Sequence, residues 1–275
     1  MQPSGIITLT TDFGHADSYV GVMKGVILGI TPRVRLIDIT HTIRPQHIHQ
    51  AAYMVDTFHR HFPTGTIHLV VVDPGVGSDR EGVVLQTPAG WFVAPDNGVL
   101  TYVWRDALSR WNSDQCRVIE LTERRYWLPT ISNTFHGRDI FAPVAAHLSQ
   151  GVVAEQFGER MERLSEARLE APARGRNGDL IGQIIHIDNF GNCITNLDPR
   201  QLQAIGPIEE ISFRIIDQRI VGLRRTYADA APGALIALVG SSNRVEIAVC
   251  NGNAAQTLGV GLGDKVRVSG VKALG

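Results

Sequence analysis

Short apolar runs that end on an acid alternate with segments of helical period through the first 150 residues. Residues 5–11 (GIITLTT) read as a strand that runs into Asp12, since β-branched residues suit a buried pleated surface. Val20, Met23, Val26, Ile27 and Ile30 then recur at helical spacing, with Asp17 or Ser18 placed to cap the helix. Residues 33–40 form a second predicted strand. Pro45 opens a second predicted helix, where its missing amide donor costs nothing, and Ile48, Ala51, Ala52, Val55 and Phe58 make the apolar face. Residues 66–73 are the third strand. This order predicts a mostly parallel sheet with right-handed crossovers. A hairpin (82–87 and 91–94), a helix over 100–108, a strand over 116–121 and an apolar helix over 140–148 follow.

Between 155 and 179 charged residues, Pro172, Gly175, Arg176, Asn177 and Gly178 replace the apolar pattern. Beyond lie short strand-like runs over 180–187, 210–216, 218–223, 234–239, 244–249 and 265–268, divided by glycine-rich turns. The fold class is therefore α/β. An N-terminal, mostly parallel sheet with flanking helices spans 1–165, a linker 166–178, and a smaller all-β, barrel-like domain 179–275. The 275 residues carry a net charge of -1, which gives no basic excess for nucleic acid. No apolar run reaches the ~20 residues that cross a bilayer. Cys116, Cys193 and Cys250 form no CxxC pair, so a zinc ribbon is excluded and a reducing, cytoplasmic setting is expected.

The candidate chemistry centres on residues 70–80, VVVDPGVGSDR. Pro74 and Gly75 stop the third strand, so Asp73 falls at its carboxyl end, where open α/β sheets bind ligands. Arg80 follows across a turn that can return it to Asp73. The pair admits two readings, a working carboxylate with its cation or an ion pair bracing a loop. Asp12 and Asp96 also fall at predicted strand ends, Asn97-Gly98 is a turn signal, and residues 133–139 (NTFHGRD) precede a helix. Six of the ten histidines lie between 41 and 68, but neither their spacing nor an HExxH motif suggests a metal site. P-loop, dinucleotide and nucleophile-elbow motifs are absent. In the second domain, Asp188, Phe190 and Asn192 place an acid, an aromatic and an amide together, either to hold a ligand or to make a turn. Residues 240–243 (GSSN) and 251–255 (NGNAA) carry the same duality.

Taken in order, TTDFG with Tyr19, VDPGVGSDR, APDNG, TFHGRD, DNFGN and GSSN…NGNAA resemble one family, the S-adenosyl-L-methionine hydroxide adenosyltransferases, relatives of fluorinase and chlorinase. The resemblance spans nearly the whole chain. It implies that water or hydroxide displaces methionine from C5′ of S-adenosylmethionine (SAM), with SAM as substrate and no cofactor or metal. It also implies a homotrimer with sites between subunits. By the match, Asp73, Arg80 and His136 form the catalytic trio. Asp12 takes the ribose diol, Asp17 and Ser18 the methionine end, Asp188 the methionine ammonium and Asn192 the adenine. Ser241 and Ser242 fall near the carboxylate-binding positions, and the arginine that the halogenases use there has no obvious counterpart. Asp96, Asn97, Phe135, Gly137, Phe190, Asn251 and Ala254 join the substrate-binding set through the same motifs. A halogenase and a non-catalytic SAM or adenosine sensor are the rival expectations. In fluorinase a tyrosine stands where Asp73 stands here, and a carboxylate beside the nucleophile would repel halide.

Overall fold

In the computed structural model, which describes residues 1–175 and 178–270, the chain divides into two compact units, Met1–Arg168 and one that begins at Leu169. The first unit is built on β1 (Ile6–Thr11), α1 (Tyr19–Ile30), β2 (Arg35–Thr40), α2 (Ile48–Phe58), β3 (Thr66–Val71), β4 (Gly82–Gln86), β5 (Gly90–Pro95), α3 (Thr101–Arg110), β6 (Arg117–Glu120), α4 (Ala142–Ser149) and β7 (Arg160–Met161). Its strands lie in the order β2-β1-β3-β5-β4-β6-β7. The pairings β1 with β2, β1 with β3 and β3 with β5 are parallel, whereas β4, β6 and β7 pair antiparallel. The sheet is thus mixed where a mostly parallel one is predicted, because the short connection between β4 and β5 allows only an antiparallel return.

β3 is buried along its length. Ile67, Leu69 and Val71 face the core formed with Met23 and Ile27 of α1 and Val144 and Leu148 of α4. Val70 and the following Val72 face Ala51 and Val55 of α2 and Val103 and Ala107 of α3. Strand period two thus supplies both faces of a sheet covered by helices.

Three helix starts depart from expectation. Ser18 occupies the cap position of α1 but makes no side-chain capping bond. α2 begins at Ile48, not Pro45, because Gln46 adopts φ 65°, outside helical geometry, and His47 caps instead by accepting from the Gln50 amide at 3.1 Å. The helix over 140–148 also begins later. A π-helical turn, Gly137–Phe141, leads into α4.

The second unit holds β8 (Ala173–Arg174), β9 (Leu180–Ile187), β10 (Cys193–Thr195), α5 (Pro199–Leu202), β11 (Ser212–Ile215), β12 (Gln218–Val221), β13 (Leu235–Val239), β14 (Val245–Val249), α6 (Ala254–Leu258) and β15 (Lys265–Ser269). All its strand pairings are antiparallel, in the order β12-β11-β15-β9-β10-β14-β13, with β8 beside β9. A bridge between Arg224 and Leu238 curls one end of the sheet toward the other. β8 falls inside the segment 166–178 expected as a linker, so part of that segment is sheet; Arg176 and Asn177 of the same segment lie outside the described residues. No helix among the described residues is long and apolar enough to cross a membrane.

Candidate active site

Asp73 stands two residues past the end of β3, its side chain 5% exposed. A compact turn follows. The Val76 amide donates to Asp73 O at 3.2 Å, and the Ser78 amide and hydroxyl both donate to Gly75 O, at 3.0 and 2.7 Å. This returns Arg80 to Asp73. Arg80 Nε donates to Asp73 Oδ1 at 2.9 Å and to Oδ2 at 3.0 Å, and Nη2 also donates to Oδ2. The guanidinium lies over the Phe141 ring, 5.2 Å from its centre, and Nη2 is 2.8 Å from His136 Nδ1. Arginine has no acceptor, so His136 Nδ1 must accept and its proton sits on Nε2. Burial, then the Arg80 charge, hold the His136 pKa below the ordinary imidazole value.

His136 sits just before the π-helical turn, on a loop held by Asp139. That buried carboxylate accepts from the Ser132 amide at 2.8 Å and from Arg138. Gly77 lets the Asp73 turn approach this loop. Its φ is 79°, and a Cβ there would run into Asn133 O. Arg80 and His136 line one wall of a cavity of about 480 Å³, with Thr122, Arg124, Trp127 and Ile131 among its other walls.

Asp12 follows β1. Its Oδ2 accepts from the Gln46 amide at 2.7 Å. Its pKa is raised, first by burial and in part by the charge of Asp73, while the Gln46 bond opposes the rise. Asp12 and Asp73 therefore share one electrostatic environment at adjoining strand ends. Phe135 packs edge-on to Phe13 and Tyr19, at 5.8 and 5.2 Å between ring centres. Gly137 is buried, with Met23, Val71 and Phe135 close around its Cα. Asp17 and Ser18 are exposed on the loop before α1. Asp96 and Asn97 are braces: Asp96 Oδ1 accepts from the Ser165 amide at 2.8 Å, and Asn97 Nδ2 donates to Val72 O at 2.9 Å. Neither lines the Arg80 cavity.

The buried histidines of the histidine-rich segment, His41, His59 and His68, serve packing. His68 is 3% exposed, bonded through Nδ1 to Thr8 Oγ1 at 2.9 Å and stacked on Phe92. His41 bonds Thr11 Oγ1 at 2.9 Å, and its Nε2 lies 3.0 Å from Asp38 Oδ1. Among the described residues no group of three or more His, Cys, Asp or Glu is arranged to hold a metal ion.

The second unit carries a cavity of about 980 Å³ on its own. Asp188, Phe190, Asn192, Ser241 and Asn251 line it, whereas Ser242 and Ala254 do not; Ser242 Oγ is buried without a hydrogen-bond partner among the described residues, and Ala254 opens α6. Asp188 Oδ1 accepts from the Phe190 and Asn192 amides, both at 2.9 Å, and Oδ2 accepts from Asn192 Nδ2 at 2.9 Å. The motif is thus a turn and a cavity wall at once, with Phe190 left 74% exposed. Arg225, Tyr227 and Glu246 line the same space and are missed by the sequence reading. Glu246 did leave a signal, as the one acid in the run VEIAV; Arg225 and Tyr227 sit in an irregular segment with no period to read.

A strand-end carboxylate clamped to a guanidinium and an imidazole, with an acid-, amide- and aromatic-lined cavity in a separate β unit, defines a two-domain enzyme for a small polar substrate. The chain belongs to the SAM hydroxide adenosyltransferase family: the model of that family's N-terminal domain matches residues 7–158 and that of its C-terminal domain residues 182–267. It is similar to the (R)-S-adenosyl-L-methionine hydrolase of Salinispora tropica, 38% identical over 273 residues that make up 98% of this chain and 99% of the relative. The hydrolase of the same name from Methanocaldococcus jannaschii is 33% identical, over 96% of this chain and 95% of the relative. A fluorinase from Nocardia brasiliensis is 27% identical, over 88% and 89%. An uncharacterized conserved protein of Thermotoga maritima has the same fold, with a TM-score of 0.86 and 34% identity over 96% of this chain and 99% of that one.

Proposed function

We propose that this protein hydrolyses SAM, in the (R) configuration at sulfur, to adenosine and L-methionine. The observation that carries the reading is the Asp73–Arg80–His136 cluster at the end of β3. A sulfonium departs as a neutral thioether, so the leaving group needs no general acid. What the protein must supply is an aligned water and a dry approach. Free water, with a pKa near ~15.7, is a weak nucleophile. Asp73 accepts its proton as the oxygen attacks C5′, while Arg80 fixes both carboxylate oxygens. His136, protonated on Nε2, donates to the water oxygen and orients it. The reaction requires no cofactor or metal.

Asp12 binds the ribose diol, and Phe13, Tyr19 and Phe135 shield the reacting carbon. Asp188, Asn192 and Phe190 hold the methionine and adenine ends. The barrel-like second unit, the homotrimer with shared sites and a cytoplasmic setting complete this reading. Asp73 disfavours a halogenase, since a carboxylate at the nucleophile position repels halide. The test is hydrolysis of (R)-SAM in ¹⁸O-labelled water. The label should enter the adenosine 5′-hydroxyl, and the (S) epimer should turn over more slowly. Unlabelled adenosine, or a 5′-halo product on adding halide, would overturn it.

A further inference from the structure

His41 does more than fill space. It follows β2 directly and is 1% exposed, and Thr11, the last residue of β1, is fully buried. Their side chains meet, with Thr11 Oγ1 2.9 Å from His41 Nδ1. Thr11 Oγ1 also accepts from the Phe13 amide at 3.3 Å, and His41 O accepts from the Gly14 amide at 2.7 Å. Both backbone amides that follow Asp12 are thus tied to this pair. At the other end of the same segment, the Gln46 amide donates to Asp12 Oδ2, from a backbone at φ 65°. Residues 41–46 therefore clasp the Asp12 loop at two points, and the His41 imidazole is the buried pin of the clasp.

The protons run one way along this pin. A hydroxyl carries one proton and can accept another. Thr11 Oγ1 accepts from Phe13 and so donates to His41 Nδ1, which leaves the imidazole proton on Nε2. That nitrogen faces Asp38 Oδ1 at 3.0 Å, and Asp38 Oδ2 accepts from Lys24 Nζ. The Asp12 loop is thereby linked through two buried side chains to a carboxylate on β2 that α1 anchors. A carboxylate that must meet two hydroxyls at once depends on such support, because a binding group works only when its own position is locked by the groups behind it.

We propose that His41 is a positioning residue for the substrate: through Thr11 it holds the Asp12 carboxylate square to the ribose diol and so sets the preference for an intact 2′-hydroxyl. The inference rests on the reading of Asp12 as the ribose acid and assigns the groups that stand behind it.

The test measures steady-state turnover of SAM, and calorimetric binding of adenosine and 2′-deoxyadenosine, in wild type and variants. Thr11→Val keeps the shape and removes the hydroxyl; His41→Gln removes the acceptor at Nδ1. Each should raise KM for SAM by about three- to tenfold, the worth of one hydrogen bond, while kcat holds. Each should also weaken adenosine more than 2′-deoxyadenosine and so narrow the preference between them. His41→Asn puts an amide oxygen where Nδ1 stands, and Thr11→Ser keeps the hydroxyl, so both should retain the preference. Equal weakening of the two nucleosides in Thr11→Val, or a preference lost in His41→Asn as fully as in His41→Gln, would overturn the assignment. If the His41 variants do not fold by circular dichroism, Thr11→Val decides. An Asp12→Ala protein that keeps the wild-type preference defeats the ribose reading instead. Amide hydrogen exchange then tests the clasp by itself: the Phe13 and Gly14 amides should exchange about three- to tenfold faster in Thr11→Val, and wild-type exchange there would overturn it.

Discussion

Arg80 Nη2 lies 2.8 Å from His136 Nδ1 while the same guanidinium holds both oxygens of Asp73. One arginine thereby fixes the carboxylate proposed to take the proton and the tautomer of the imidazole beside it. A proton added to His136 would have to go on Nδ1, facing Arg80, which the low pKa direction reflects. Turnover should therefore persist as pH falls through the ordinary imidazole value of about 6.5 and fail only below it. A kcat–pH profile checks this, and an acid limb at or above 6.5 would contradict the tautomer.

Asp73→Asn keeps the shape of the cluster and removes the proton acceptor. General-base catalysis contributes roughly 10²–10⁴-fold, so kcat should fall by about that factor while substrate affinity changes little. Arg80→Lys should also lower kcat, because an ammonium cannot hold two carboxylate oxygens and the imidazole at once. Single-turnover assays beside calorimetry separate the two effects. Wild-type kcat in Asp73→Asn would remove Asp73 from the chemistry.

The neighbourhood of Asp73 was legible where local chemistry dictated geometry. Pro74 and Gly75 stop a strand by backbone rules, and a short turn can only bring Arg80 back, so the Asp73–Arg80 contact was readable from residues 70–80. The arrival of His136 was legible through the family resemblance alone and not through local rules, because it depends on Gly77 nesting against Asn133, a contact across more than fifty residues. The antiparallel half of the first sheet was underweighted although the hairpin was read correctly. Strand order is a tertiary choice that period-two patterning does not encode. Tyr227 was invisible for a similar reason, since only the fold brings it to Glu246.

Gly77→Ala tests the nesting. Left-handed backbone costs a non-glycine residue about 1–2 kcal/mol, and the added Cβ also meets Asn133 O. The melting temperature should fall, and kcat should fall with it as the His136 loop shifts. A thermal melt and an assay on the same sample suffice, and unchanged kcat would mean that the loop is placed by other contacts.

His59 and His68 predict loss of stability in acid. Burial lowers their pKa values to about 4 and about 3. On unfolding each returns to about 6.5, so the unfolded chain binds more protons below that pH. Their contribution is complete above 6.5 and is lost as pH falls toward 4 and 3, at up to about 1.4 kcal/mol per pH unit for each ring. Urea midpoints at pH 7, 6 and 5, at one protein concentration, should decline, and His59→Gln should flatten the decline. An equal slope in that variant would assign the acid sensitivity to other groups.

Asp12 belongs to the first compact unit and Asp188 to the second, each beside its own cluster. If the active species is a trimer whose sites pair the first unit of one subunit with the second unit of the next, the two defects can complement. Asp12→Ala and Asp188→Ala proteins should each be inactive alone. In randomly mixed trimers, a site is intact when its first unit comes from the Asp188→Ala chain and its second from the Asp12→Ala chain. That combination occurs at about one site in four. Unfolding and refolding the two proteins together should therefore restore about a quarter of wild-type activity. Were the site built within one chain, every site would carry one defect and no activity would return. Sedimentation must verify that mixed trimers formed, and verified mixed trimers without activity, or a fully active monomer, would refute the shared site.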